Sequence, residues 1–464
     1  MPITPTPTLP ASVRLKLVFL VVATIVLAIS MTGPAAAAGD DEAGALAATG
    51  QDFVPGEVLV QYQGEAVPET VELSANADVE AVAENLEERP GVKHATPNYI
   101  ARISAWMPND VGVNPFKVGQ VAGWQHKQWN FLPCLSLCHE GAAAGKQSRG
   151  GANVLRAWRQ LRKAGRPGAK GVNVAVLDTG VAYRNYGLRF RRNPDLRART
   201  FLPGYDFVGR DRFPLDTNGH GTHVTATIAQ ATNNRRGLTG IAYGAKVMPV
   251  RVMDTYGFGT TENIIKGIRW ATNHGARVIS MSINFQCGLK VPPLEQALTY
   301  AHRKGVVIVG SSGNRGGVGC PSLPATSPKV ISVGGTTESG CVANYTFRTR
   351  HIDIAAPGGG SAGEDCPVKT GSRPVMQVAM IGSDPSRYGI EKGWKGTSMA
   401  AAHVAAGAAM VIASDALKKR RGPRQVRERL LETARLPARA KGDPESGFGA
   451  GIINLGRATN PRVK

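Results

Sequence analysis

A chain of 464 residues is too long for one small domain and can bury a sizeable core, and 42% hydrophobic residues with 56 glycines fit a globular α/β protein rich in tight turns. No internal repeat or low-complexity block is visible. The formal charge of +21 is unevenly placed: residues 51–102 hold ten acids against Arg89, Lys93 and Arg102, a net of −7, and residues 1–50 carry a net of −1, which together leave +29 after residue 102. No recognised nucleic-acid motif accompanies that charge, so no nucleic-acid partner is expected, and an acidic segment ahead of a basic one suggests that the two bind each other.

At the N-terminus, Arg14 and Lys16 precede an apolar run over 17–31, and Ala36-Ala37-Ala38 offers small residues for cleavage. That is the layout of a secretory signal peptide over residues 1–38. The run has about 15 residues, short of the roughly 20 a span needs, and no later stretch is long enough. The expected address is secreted or periplasmic, with no membrane association once the signal is removed; an uncleaved anchor is the rival reading. Residues 56–62 alternate like an edge-type strand, 78–89 form an amphipathic helix with Val79, Val82, Ala83 and Leu86 on one face, and 94–100 read as a second strand. This βαβ-like pattern defines a small domain over 39–103, with a folded part at about 53–100. Residues 104–152 are poorly patterned and rich in Gly, Trp and Pro; with a short basic helix over 152–164 they form an arm, to about residue 165, of a main domain spanning 104–464.

The main domain opens with a continuous apolar run over 171–177, typical of a strand buried on both faces. Similar runs recur at 246–252, 278–283, 306–309 and 330–333, separated by helical stretches at 224–231, 261–274 and 293–304. Strands alternating with helices predict a parallel sheet covered on both sides, with active residues beyond the C-terminal strand ends. A last helix of small apolar residues runs from Gly396-Thr397-Ser398 to about Ala413. Six cysteines (Cys134, Cys138, Cys287, Cys320, Cys341 and Cys366) on an exported chain make disulfides the default. Fifteen pairings are open; neighbours in order (134–138, 287–320, 341–366) are the pairing we favour, and a metal site at the CxxxC is the rival.

Three motifs carry chemistry: Asp178 in Val176-Leu177-Asp178-Thr179-Gly180, His220 in Asn218-Gly219-His220-Gly221-Thr222-His223, and Ser398 at the glycine-led start of the last helix. Nucleophilic catalysis by serine needs a base to take its proton and a carboxylate to orient that base, and a helix start favours the oxyanion that forms. Each motif has an ordinary alternative. A lone Asp-Thr-Gly lacks the second copy that an aspartic protease needs, His220 and His223 lack a third zinc ligand, and Ser398 alone reads as a helix cap. In the order Asp, His, Ser they are specific.

The chain resembles the subtilisin-like serine proteases, the subtilases, over nearly everything from about residue 100 to the end. The resemblance implies a three-layer α/β fold with a central, mostly parallel sheet, in which Asp178 orients His220, His220 is general base and acid, Ser398 is the nucleophile and His223 is structural. It implies that Asn314, after the strand over 306–309, donates to the oxyanion together with the Ser398 N–H. Ser282, Ile283 and Asn284 resemble the strand that pairs with an extended peptide or protein substrate, and Ser311, Ser312 and Gly313 resemble the facing pocket wall. Three positions depart from the family: Asn284 and Ala226 stand where glycine is usual, Ala402 where proline is usual. A side chain at 284 would narrow the pocket entrance, so specificity does not carry over.

No cofactor is implied for catalysis. A structural calcium is implied at Asp195 with Asn233 and Asn234, although Arg235 and Arg236 are poor neighbours for a cation. The acidic α+β segment resembles an inhibitory propeptide, which makes the chain its own intramolecular partner, cut near 99–106; a monomer is expected. The competing readings are a catalytically inactive subtilase-fold binding protein, an exported polyanion binder, and a lipase-like esterase, the last disfavoured because GxSxG is absent.

Overall fold

The computed structural model describes residues 53–74, 76–99, 106–112, 123–133, 148–316, 320–364, 366, 373–390, 394–418 and 421–463. The expectations for the signal segment and for Cys134 and Cys138 lie outside the described residues. The chain divides into two compact units, Met1–Arg102 and Ile103–Lys464.

In the first unit β1 (Phe53–Tyr62) lies between β2 (Glu69–Glu72) and β3 (Val92–Tyr99), both antiparallel to it. Its alternation buries Val58 and Val60 against Val79 and Ala83 of α1 (Val79–Glu87) and Ala95 of β3. Asp78 caps α1 by accepting from the Ala81 N–H at 3.1 Å. The alternation of β1 marks one buried face, not an edge, so the edge-type reading is corrected. The strand that makes β1 central is Glu69-Thr70-Val71-Glu72, too short and too acidic to stand out by pattern.

The second unit is built on seven parallel strands in the order β10-β9-β8-β7-β4-β6-β5. They are β4 (Asn173–Asp178), β5 (Tyr205–Asp206), β6 (Lys246–Arg251), β7 (Val278–Met281), β8 (Val307–Ser311), β9 (Val330–Thr336) and β10 (Ile354–Pro357). Alternate residues of the central strands face opposite cores. Val174, Val176, Val278, Val307 and Val309 pack with α2 (Val154–Lys163), α3 (His220–Ala229), α6 (Thr397–Ala413) and α7 (Pro423–Glu432). Ala175, Leu177, Ile279, Met281 and Ile308 pack with α4 (Thr261–Asn273) and α5 (Pro292–Arg303). Helices therefore cover both faces of a sheet whose strands read as unbroken apolar runs. All seventeen residues of α6 are buried, so it is apolar around its whole circumference.

The weakly patterned arm contributes aromatic rings rather than regular structure. Trp124, Trp129 and Phe131 are buried, and the Trp158 ring of α2 meets Trp106 at 6.0 Å, Trp124 at 5.7 Å and Phe131 at 6.0 Å. Disulfides join Cys287 to Cys320 and Cys341 to Cys366. A short antiparallel pair, β11 (Val378–Met380) and β12 (Tyr388–Ile390), precedes α6.

Candidate active site

Asp178 is the last residue of β4, at the C-terminal edge of the sheet. It is held where the next peptide turns away, its Oδ1 accepting from the Thr179 N–H at 2.8 Å. His220 begins α3, four residues earlier than the apolar pattern starts. The turn that feeds it needs Gly219 at φ 105°, a left-handed conformation that favours glycine. Nδ1 of His220 lies 2.7 Å from Asp178 Oδ1, with the carboxyl side chain 3% exposed and the imidazole 23% exposed. Since a carboxylate can only accept, Nδ1 carries the proton and Nε2 is left as the acceptor of the neutral ring. Burial disfavours the imidazolium, but the Asp178 charge and hydrogen bond, with Asp216 behind them, outweigh it and hold His220 above its ordinary pKa.

Asp216 fixes the spacing between those two residues. Its buried carboxylate accepts from Thr179 Oγ1 (2.9 Å), the N–H groups of Asn218 (3.0 Å), Gly219 (2.9 Å) and Thr222 (2.9 Å), and Thr222 Oγ1 (2.6 Å). Thr179 Oγ1 in turn accepts from the Gly221 N–H at 3.0 Å, so one carboxylate ties the Asp178 corner to the His220 helix. Burial raises the Asp216 pKa against the opposing pull of these donors. Sequence reasoning passed over Asp216; its place four residues before a glycine-flanked histidine was the available signal.

Ser398 is the second residue of α6 and is 8% exposed. N–H groups in that first turn have no intrahelical acceptor, and the dipole is positive there. Oδ1 of Asn314 accepts from the Thr397 N–H (2.8 Å) and Thr397 Oγ1 (2.9 Å). A backbone N–H can only donate, so the Asn314 amide has one orientation, with its NH₂ turned away from that anchor and free to donate. Gly396 before them stands at φ 143°, and a Cβ there would meet Asn314 Nδ2 at 3.1 Å. Ser282 Oγ donates to the Ser398 carbonyl at 3.3 Å, joining the residue after β7 to the start of α6. Two threonines, 179 and 397, thus brace the three motifs, and neither was singled out from sequence.

Asn284 and Ser311 form a reciprocal pair: Asn284 Nδ2 donates to the Ser311 carbonyl at 2.8 Å and Ser311 Oγ donates to Asn284 Oδ1 at 3.2 Å. Asn284 and Gly313 line a cavity of about 390 Å³ that also reaches Asn314. Ile283, Ser311 and Ser312 are buried and do not line it.

His223, two helical positions beyond Gly221, is buried and stacked on Trp394 (5.0 Å), with Nε2 3.1 Å from the Val375 carbonyl. Burial lowers its pKa to about 3, so it stays neutral. Trp394 also lies 5.9 Å from the His220 ring. His403 is likewise neutral, pushed down to about 4 by burial between Asn130 and the Met399 carbonyl.

Of the residues expected to hold calcium, Asp195 and Asn234 come together: Asp195 accepts from Asn234 Nδ2 (2.7 Å), the Leu238 N–H (3.1 Å) and Gln230 Nε2. Asn233 turns away, its Oδ1 accepting from the Asn109 N–H at 3.3 Å, and Arg235 and Arg236 are exposed. The arm adds an acid that sequence reasoning missed: Asp110, buried, accepts from the Asn233 N–H at 2.7 Å. Burial pushes Asp195 up to about 7 and Asp110 up to about 6, and the Asp110 charge adds to the rise at Asp195. Among the described residues no group of three or more His, Cys, Asp or Glu is placed to hold a metal, and no helix is long and apolar enough to cross a membrane.

A sequence model described as the subtilase family matches residues 169–451. The chain is 29% identical over 404 residues to a thermophilic serine proteinase of Bacillus sp. (strain AK1), covering 82% of each chain. It is 34% identical over 295 residues to subtilisin Savinase of Lederbergia lenta, covering 62% of this chain and 91% of the relative. Among solved structures, one of proteases from Pseudoalteromonas arctica PAMC 21717 superposes with a TM-score of 0.55 at 31% identity, over 67% of this chain and 94% of the other. With the parallel seven-stranded sheet covered on both faces, these matches identify the chain as a member of the subtilase family, a subtilisin-like serine protease.

Proposed function

We propose that the chain is an exported serine endopeptidase made as a zymogen, with Asp178, His220 and Ser398 as its triad and Asn314 as an oxyanion donor. The observation that carries this reading is the 2.7 Å contact between Asp178 Oδ1 and His220 Nδ1, which leaves Nε2 as a base. In this mechanism Nε2 takes the Ser398 Oγ proton as Oγ attacks the scissile carbonyl of a peptide or protein. The free amide of Asn314 and the N–H at the α6 start receive the developing oxyanion. His220 then returns the proton to the leaving amine, and water releases the acyl group from Ser398 by the reverse sequence. No metal or cofactor takes part in these steps.

Residues 1–38 serve as the export signal and residues 39–103 as the inhibitory propeptide, a reading supported by the separate fold of the first unit and its excess of acids. Calcium is proposed as a structural ion at Asp195 and Asn234, with Asp110 as a further acid. Two buried carboxylates held above their ordinary range are a place where a cation would relieve burial. Bound there, it would brace the arm against the loop over 232–238 and take no part in catalysis.

The test compares the full chain with Ser398→Ala. Fluorophosphonate labelling and release of the first unit in wild type, both absent from the variant, are the expected result. A folded wild type that neither labels nor processes would make the chain a binding protein.

A further inference from the structure

The cavity beside Asn314 has a chemistry of its own. It holds about 390 Å³ and is lined by the polar side chains of Asn284, Gln286 and Ser322 and by Arg315, together with Phe285, Phe347 and the Cys287–Cys320 disulfide. The Asn284–Ser311 pair joins an amide to a hydroxyl, where glycine at 284 would leave open space. Among the described residues Arg315 is the one charged residue that lines the cavity, and none that lines it is acidic. It is exposed, and among the described residues no hydrogen bond or ion pair engages its guanidinium. It directly follows Asn314, so its backbone is fixed by the same anchor that orients the oxyanion donor.

We propose that this cavity selects an acidic side chain on the residue whose carbonyl is attacked, with Arg315 as the specificity-determining residue. The proposal rests on the protease reading above. A guanidinium presents a fork of donors that matches a carboxylate, whereas the neutral isostere, glutamine, offers one oxygen and no charge. Cleavage should therefore favour glutamate over glutamine, a comparison that holds shape constant. Residues 99–106 contain no acid, but self-cleavage there is intramolecular and runs at high effective concentration, so it does not report this preference.

The experiment uses processed enzyme and peptides identical except for Glu, Gln, Leu or Lys at the cleaved position, with active sites counted by fluorophosphonate labelling. We expect kcat/KM for Glu to exceed that for Gln by about tenfold at low salt, the size of one charge-assisted hydrogen bond. The ratio should shrink in high salt because the pair is exposed. Arg315→Gln should bring it close to one, and Arg315→Glu should place Lys above Glu. A wild-type ratio at or below one, or a ratio unchanged in Arg315→Gln, would overturn the assignment. An enzyme that labels and cleaves the Leu peptide without favouring Glu defeats the selectivity alone; a wild type that fails to label defeats the protease reading itself.

Discussion

The buried acid Asp195 gives the sharpest stability prediction. Burial raises its carboxyl from 3.8 to about 7, and the bonds from Asn234, Gln230 and Leu238 only partly oppose this. A raised acid pKa means that the folded state holds the proton more tightly than the unfolded chain. The associated stability is complete below pH 3.8 and is lost as pH rises through about 7. Unfolded Asp195 is already ionised at pH 5, so the loss between pH 5 and pH 8 is about 3 kcal/mol. Asp110, raised to about 6, adds a smaller loss of the same sign. The assay is urea unfolding in EDTA at pH 5 and pH 8, in a Ser398→Ala background that prevents self-digestion. Asp195→Asn should be less stable overall, since it faces three donors, yet should lose about 3 kcal/mol less than its parent between the two pH values. Added calcium should stabilise the parent more at pH 8 than at pH 5, because the ion replaces a proton that is already gone. Equal pH dependence in parent and variant would refute the reasoning, and equal calcium effects at both pH values would refute the cation site.

Three further outcomes follow from the site. Asn314→Ala removes the free amide donor and should lower kcat by about 100- to 1,000-fold with KM little changed, read from steady-state kinetics. The raised His220 pKa should put the acid limb of kcat/KM above 6.5, with activity lost as pH falls through it; Asp178→Asn should move that limb down and cut kcat by about 10⁴-fold. Gly396→Ala, forced into φ 143° against Asn314 Nδ2, should still fold but turn over more slowly, with the loss in kcat rather than KM.

The three residues proposed as the triad stand out in the sequence because each motif is short: Asp178 ends an apolar run, His220 follows a glycine at a helix start, and Ser398 is the second residue of a glycine-led helix. The resemblance to the family then suggested their roles. The partners that brace those residues were not legible, because they come from distant parts of the chain. Asp216 acts through Thr179, 37 residues away, and Asn314 is oriented by Thr397, 83 residues on. The arm failed for a different reason. Trp106, Trp124, Trp129 and Phe131 are placed by irregular backbone, so no period of 2 or 3.6 marks them. Asp110 lies in the same stretch and was missed with them. Asn284 stood out as a departure from the family, but its effect depended on Ser311 answering it across the pocket.

The full burial of α6 divides the molecule by how freely it can vary. A helix built largely of alanine and enclosed on every side leaves no room for larger residues without displacing its neighbours. The serine at its start therefore rides on a part of the chain that tolerates almost no substitution. Arg315, one residue beyond Asn314, is exposed. Under the selectivity proposed for Arg315, descendants of this sequence would acquire new substrates by changing that exposed position, while the proposed nucleophile stayed tied to a helix that cannot drift.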